Sequence, residues 1–474
     1  MAIPPLVVDL DGTLLRSNLL LETGMAFVRS QPLRLLKPVA WLARGKAALK
    51  ENLACATQLD VSVLPYDPVV IELIEAERRA GRTVVLATAC HHSLAERIAE
   101  HLKLFDQVLA TRADLNLSAR RKRDLLVEHY GEGGFDYAGN SRDDIPVWAA
   151  ARQAYVINPE SGVERRAKAR GNVERVIRSN PAGLRDWLRA MRLHQWAKNL
   201  LIFVPLLAAH QLGNLALIWQ ALLAFLCFGL CASSVYLLND LLDLADDRRH
   251  EAKRHRPFAA GRLSIESGLA AFPLLLGLAF AGALWLLPWA FAGVLLAYYG
   301  LTLAYSLALK RRMAVDVIVL ALLYTLRIVA GAAALGLALT FWMLAFATFI
   351  FLSLAMVKRY AELREARRQG RSGRTGGRGY SPDDLEMFST LGAASGYMAV
   401  MVLALYTQDQ TTAALYSRPF LLWLACPLLL FWITRVWMIT FRGLMHEDPV
   451  LFAVRDRVSL MVCALFGLVF WAAT

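Results

Sequence analysis

Two groups of carboxylates in this chain have the residue types and the spacing for phosphate chemistry. In the first, Asn239–Asp240–Leu241–Leu242–Asp243–Leu244–Ala245–Asp246–Asp247–Arg248–Arg249–His250, the residues Asp240, Asp243 and Asp247 stand at i, i+3 and i+7, which predicts one shared helix face. The segment follows a long apolar run, so these charges meet at a membrane boundary. There they repel one another and are costly unless a cation neutralises them. Mg2+ bridging a diphosphate is the simplest such cation, and it gives the downstream Lys253, Arg254 and Arg256 a role as phosphate partners. A solvated acidic helix end is the plain alternative. In the second group, Asp9–Leu10–Asp11–Gly12–Thr13, two carboxylates one residue apart close a short apolar stretch. Such a pair can share Mg2+, one attacking phosphorus while the other handles protons.

The elements around Asp9 are short apolar stretches, Leu6–Leu10, Thr83–Ala87, Gln107–Ala110, Phe135–Ala138 and Tyr155–Ile157, separated by helical patterns. This alternation predicts a Rossmann-like α/β domain, a parallel sheet with helices on both faces and ligands at the C-terminal strand ends. Thr88 follows the second stretch, Lys122 opens a later helix, and Gly139–Asn140–Ser141–Arg142–Asp143–Asp144 follows the fourth. In this order the four motifs resemble those of the haloacid dehalogenase-like hydrolases, over residues 1–178. The resemblance implies Asp9 as nucleophile and Asp11 as acid/base, with Thr88 and Lys122 binding the phosphoryl group. It also implies that Asp144 helps Asp9 and Asp11 to hold Mg2+. Asn140 stands where the family often has Asp; an amide oxygen still ligates Mg2+, with less charge. Residues 14–80 are expected to form a small helical cap. A degenerate, purely structural domain is the alternative.

The whole chain has 474 residues, 57% of them hydrophobic, and a mean hydropathy of +0.41, too apolar for a soluble protein of this length. The apolar runs predict nine spans, at 198–212, 215–238, 265–286, 289–309, 315–336, 340–357, 387–407, 419–438 and 458–474. No signal peptide pattern precedes the first strand, so the N-terminal domain is expected in the cytoplasm. Loops 239–263, 309–315, 358–380 and 435–457 then share its side and carry 21 Lys and Arg, whereas the opposite loops hold only Arg418. That asymmetry orients the chain in a bacterial inner membrane. It also places the net charge of +13 against membrane lipids and anionic substrates rather than nucleic acid. Leu184, Trp187, Leu188 and Met191, with arginines between them, read as an interfacial amphipathic helix or a domain-docking one. The glycine-rich basic segment 369–379 reads as a flexible loop. Six scattered cysteines form no CxxC pair, and Cys227 and Cys231 read as packing residues.

The Asn-Asp-x-x-Asp-x-x-x-Asp string and the span count resemble the UbiA-type intramembrane prenyltransferases, over about residues 185–474. That resemblance implies a Mg2+–diphosphate site at Asp240, Asp243 and Asp247, with Asn239 orienting the ligand. The family's second acidic motif is incomplete: Tyr305–Asp316 contains one Asp, several cations including Lys310, and is followed by Tyr324 and Arg327. With Gln195–Asn199, Lys358–Leu363 and Arg455–Arg457, this resembles the decaprenyl-phosphate phosphoribosyltransferase branch. The branch implies transfer of 5-phosphoribose from 5-phosphoribosyl-1-diphosphate (PRPP) to a polyprenyl phosphate. Lys253, Arg254, Lys310 and Arg327 would then contact phosphates, and the hydrolase domain would remove the 5-phosphate of the product. An aromatic prenyltransferase of quinone or haem biosynthesis, and a transporter or scaffold that binds divalent ions, are the rival readings. The expected organisation is a hydrolase domain at 1–178, a linker with the interfacial helix at 179–197, and an all-α nine-span bundle at 198–474.

Overall fold

In the structure, a computed structural model, the described residues are 3–34, 36–112, 117–179, 182–370, 379–409, 416–445 and 448–474. Most of the expected glycine-rich loop lies outside them. The chain divides into two compact units, Met1–Met191 with Tyr236–Phe272, and Arg192–Val235 with Pro273–Thr474.

Among its described residues the first unit has six parallel strands: β1 Leu6–Val8, β2 Val84–His91, β3 Gln107–Thr111, β4 Asp136–Gly139, β5 Ala154–Ile157 and β6 Val173–Ile177. Their order is β3-β2-β1-β4-β5-β6, with every neighbouring pair parallel. Leu6 and Val8 pack on one face with Val70, Ile74, Leu94 and Ile98. Val7, Val85 and Ala87 pack on the other with Leu126 and Trp148. Burial on both faces explains why the central strands read as unbroken apolar runs. Strand β6 was not expected. It lies at the sheet edge with Glu174 and Arg175 exposed, so its sequence reads as surface.

Helix α1 (Leu19–Ser30) starts where Asn18 accepts a hydrogen bond from Leu20 N–H at 3.0 Å, as an N-cap should. With residues 37–43 and α2 (Lys46–Ala56) it forms a cap whose own small core is Phe27, Leu49 and Leu53 against Trp41. The helix Pro68–Arg79 contributes Val70 and Ile74 to the sheet core. Two further helices bear on the site, α3 (His92–Leu102) and α4 (Ala119–Tyr130). In the helix Leu184–Ala190, Leu184 and Leu188 are exposed while Trp187 meets Phe258 edge-on and Asp186 pairs with Arg262 at 3.2 Å. It therefore combines a docked face with an outward apolar one.

Among the described residues seven helices are long and apolar enough to cross a membrane. They are built on α5 (Leu215–Leu242), α7 (Ile265–Leu286), α8 (Trp289–Leu307), α9 (Val315–Leu335), α10 (Phe341–Arg368), α11 (Leu385–Gln408) and α12 (Ala425–Phe441). The short α6 (Leu244–Arg249) follows α5. The pair α13 (Pro449–Arg455) and α14 (Arg457–Ala473), bent by 79°, makes eight if taken as one span. Nine were expected. The shortfall is at the start, where 198–212 is a 3-10 run, Leu193–Phe203, joined to a five-residue helix, Val204–Ala208. The backbone of Ile202 passes so close to Gly331 of α9 that a Cβ there would lie 2.0 Å from its carbonyl oxygen. The final bend has a polar cause: Asp456 accepts from Ser459 N–H at 2.8 Å and pairs with Arg435 at 2.7 Å. The expected Arg455–Asp456–Arg457 string thus contains a helix cap.

Candidate functional site

The first site sits at the C-terminal ends of β1, β2 and β4. Lys122, in the first turn of α4, donates to Asp9 Oδ1 at 2.7 Å and to the Tyr137 hydroxyl at 2.8 Å. The hydroxyl in turn donates to Asp144 Oδ1 at 2.7 Å. Burial pushes the Asp9 carboxyl up to about 7 against the pull of Lys122, with Asp144 and Asp11 adding repulsion. Burial likewise raises Asp11 to about 6, opposed by the Leu19 N–H that it accepts at 2.8 Å. Gly12, at φ +73°, lies against Asn140; a Cβ would come within 2.2 Å of Nδ2, so this position requires glycine. Thr88 is fully buried and accepts from Cys90 N–H at 3.1 Å.

The oxygens of Asp9, Asp11 and Asn140 are hard donors of the kind Mg2+ takes. Asp144, expected among the ligands, is differently employed here. Its Oδ2 accepts from Asn140 N–H, Ser141 N–H and Ser141 Oγ at 2.9–3.0 Å, and Oδ1 is taken by Tyr137. As placed it orients the loop. Among the described residues no three His, Cys, Asp or Glu side chains are grouped to hold a metal ion. One residue that sequence reasoning missed is Lys50 of the cap, which donates to Ala89 O at 2.5 Å and attracts Asp11. Nothing in its helical pattern marks it.

The second site departs from the expected single helix face. Helix α5 ends at Leu242, and Asp243 sits at the N-cap of α6. The break separates the three carboxylates. Asp240 and Asp247, each 3% exposed, converge on one nitrogen of Arg256, at 3.0 and 2.7 Å. Burial raises the Asp247 pKa, with Arg256 opposing it and Asp240 reinforcing it. Asp243 instead pairs with Arg29 of α1 at 3.3 Å, as does Asp246. Two buried carboxylates within reach of one positive charge are a donor set that fits Mg2+, and Arg256 stands in for the cation. Asn239 is half-buried beside them, and Lys253 and Arg254 are exposed.

In the second unit, Asp448 Oδ2 accepts from Lys198 at 2.7 Å and Lys358 at 3.1 Å, and Tyr324 donates to the same carboxylate at 2.9 Å. Two lysines on one carboxylate leave a net positive centre. Arg327, 4% exposed, is caged by the rings of Phe228, Tyr298 and Tyr324 and donates to Asn199 Oδ1 at 3.1 Å. The Nδ2 of Asn199 is buried and has no hydrogen-bond partner among the described residues. Asp316, the single acid of the incomplete motif, is held by Arg359 at 2.5 and 2.9 Å and by the Tyr305 hydroxyl at 2.8 Å. That lock occupies the carboxylate that a second metal cluster would need. Lys310 lies in the Leu309–Arg311 turn, half-exposed. Asp448 carried no spacing signal, since its partners lie 90 and 250 residues away.

A parallel α/β domain with a carboxylate–lysine site, joined to at least seven membrane-length helices, defines a multi-pass membrane protein with an attached hydrolase-type domain. The chain belongs to the UbiA prenyltransferase family, which its residues 200–472 match, and residues 6–148 match the haloacid dehalogenase-like hydrolases. It is 38% identical to the uncharacterised protein y4nM of Sinorhizobium fredii over 98% of this chain and 90% of that one. It is also 38% identical to the nodulation protein NoeC of Azorhizobium caulinodans, over 60% and 92% of the two chains. Against the decaprenyl-phosphate phosphoribosyltransferase of Mycobacterium tuberculosis the identity is 33%, over 64% and 97%. The chain is therefore a transferase by family.

Proposed function

We propose that this protein transfers 5-phosphoribose from PRPP to a polyprenyl phosphate. The observation that carries the reading is the pair Asp240 and Asp247, buried and converging on one cation, in a chain similar to decaprenyl-phosphate phosphoribosyltransferases. When bound there, Mg2+ would neutralise the diphosphate as it departs. Asp240 and Asp247 would hold Mg2+ there, Asn239 would orient the diphosphate, and Arg256, now paired with both carboxylates, would be the neighbouring cation for phosphate oxygens. Lys253 and Arg254, and in the second unit Lys310, are suited to phosphate groups of the donor or of the lipid acceptor. The cluster of Lys198, Lys358 and Asp448 supplies further positive charge for an anionic group. Arg327 acts through Asn199, to whose side-chain oxygen it donates, and the Asn199 amide would donate to a ligand oxygen. Positive charge developing at the ribose anomeric carbon is captured by the lipid phosphate, so no covalent enzyme intermediate is required.

The soluble domain then hydrolyses a phosphate monoester, the 5-phosphate of the product. Asp9 attacks phosphorus as the ester P–O bond breaks, and Asp11 gives its proton to the departing ribose oxygen. Asp11 then takes a proton from the water that hydrolyses the aspartyl phosphate to inorganic phosphate, and Lys122 and Thr88 hold the phosphoryl oxygens. Asp9, Asp11 and Asn140 are the side chains suited to Mg2+, with Asp144 fixing their loop. The broken segment at 193–208 and the bent pair α13–α14 complete nine crossings of a bacterial inner membrane, with the N-terminal domain in the cytoplasm. The experiment is radiolabelled PRPP and polyprenyl phosphate with the purified protein. Label entering the lipid phase is the expected result. A prenylated product from prenyl diphosphate and 4-hydroxybenzoate, with PRPP inert, overturns the reading in favour of an aromatic prenyltransferase.

A further inference from the structure

The acidic segment belongs to the same compact unit as the soluble domain, and ion pairs tie the two together. Glu22 of α1 receives Arg248 through two hydrogen bonds, at 2.6 and 3.1 Å, with the side chains 2% and 5% exposed. Ser17 donates to the same carboxylate at 2.5 Å, and Arg248 also donates to Ala259 O at 3.0 Å. Two turns further along α1, Arg29 donates to Leu242 O at 3.3 Å and pairs with Asp243 and Asp246. It thereby satisfies the last carbonyl of α5, which an ended helix leaves open. Arg249 reaches Asp60 at 2.7 Å, and Gly261 lies so close to Arg16 that a Cβ would come within 2.7 Å of it. The opposite end of α1 begins at Leu19, whose N–H is held by Asp11.

We propose that Glu22 and Arg29 of the soluble domain are positioning residues for the transferase, holding the turn that brings Asp247 back beside Asp240. This rests on the reading of that carboxylate pair as the diphosphate site. Arg248 directly follows Asp247, so fixing Arg248 on Glu22 fixes the backbone from which Asp247 projects. Arg29 does the same at the start of the turn, and by engaging Asp243 it keeps the third carboxylate off the pair. The expected signature follows from population arithmetic: an anchor that favours the competent loop lowers the apparent dissociation constant of the ligand without entering the chemical step. The fused domain thus serves the transfer reaction structurally, apart from any hydrolysis at Asp9.

The test uses the full-length protein, with Mg2+ and PRPP kinetics and hydrogen exchange of the 239–263 backbone read side by side. Arg29→Ala, at a partly exposed site, should raise KM for PRPP roughly fivefold, with kcat changed less than twofold. Glu22→Gln strands a buried guanidinium and should raise KM on the order of a hundredfold. The exchanged pair Glu22→Arg with Arg248→Glu should recover most of that loss, which a merely disrupted fold would not permit. Should Glu22→Gln fail to fold, Arg29→Ala and the exchanged pair still decide the matter. Exchange in 239–263 should quicken in both single variants. An unchanged KM overturns the positioning role, whether or not exchange quickens. If PRPP is inert with the unaltered protein, the transfer reading fails and the proposal with it, while the exchange data still tell whether α1 holds the loop.

Discussion

The two carboxylate sites solve the same electrostatic problem with different supports. At the soluble site, Asp9 sits at the end of a central strand, with its N–H paired to Ala138 O at 2.9 Å. Its counter-charge, Lys122, is 4% exposed and fixed by a second bond to Tyr137. At the membrane site, Asp240 and Asp247 lie on either side of a helix break, and their counter-charge, Arg256, is 29% exposed and comes from the same loop. Strand ends and the first turn of α4 together hold the first constellation. The second depends on anchors outside its own motif, namely Glu22 and Arg29. A rigid site suits a nucleophile that must meet phosphorus at a fixed angle, and a loop site suits a clamp that closes on a bulky leaving group.

The largest expected effect separates the two sites outright. Asp9→Asn should reduce phosphate-ester hydrolysis to background, because no second side chain replaces the nucleophile, while phosphoribosyl transfer persists. Loss of both activities together would mean that the sites are not independent in their chemistry. Next is the rigid support of the membrane region. Arg359→Ala leaves Asp316 buried and uncompensated and should cost roughly 3–5 kcal/mol in detergent unfolding. A near-neutral result would show that Asp316 is free to ligate, contrary to the lock described. The smallest effect sharpens the soluble site. Gly12→Ala forces a left-handed backbone on an L residue, about 1–2 kcal/mol, and displaces Asn140. Hydrolysis should weaken several-fold in Mg2+ response with transfer untouched.

What could be read from the sequence follows the range of the interactions involved. The placement of the β1 motif, Lys122 and the Asn140 loop was legible because each falls at a strand end or helix start, whereas Thr88 lies inside β2 rather than after it. The acidic string was legible as chemistry but not as geometry. Spacing of i, i+3 and i+7 assumes an unbroken helix, and at the break Asp243 pairs instead with Arg29, 214 residues earlier in the chain. The same limit hid Lys50, Asp448 and the Glu22–Arg248 pair, all fixed by contacts far apart in sequence. The seven membrane-length helices among the described residues fall short of the expected nine where Pro205 and the close pass of Ile202 against Gly331 divide an apolar run into 3-10 and single-turn pieces, which hydropathy alone does not register.

The central claim is that Asp240 and Asp247 together clamp the metal–diphosphate of PRPP. The most direct measurement is a Mg2+ titration of phosphoribosyl transfer with Asp247→Asn beside the unaltered protein. An amide keeps the shape of the side chain but removes its charge. The clamp should then lose about 10²–10³ in rate, and half-saturation should move to higher Mg2+. A variant that transfers phosphoribose at the original rate, with the same Mg2+ dependence, would contradict the assignment.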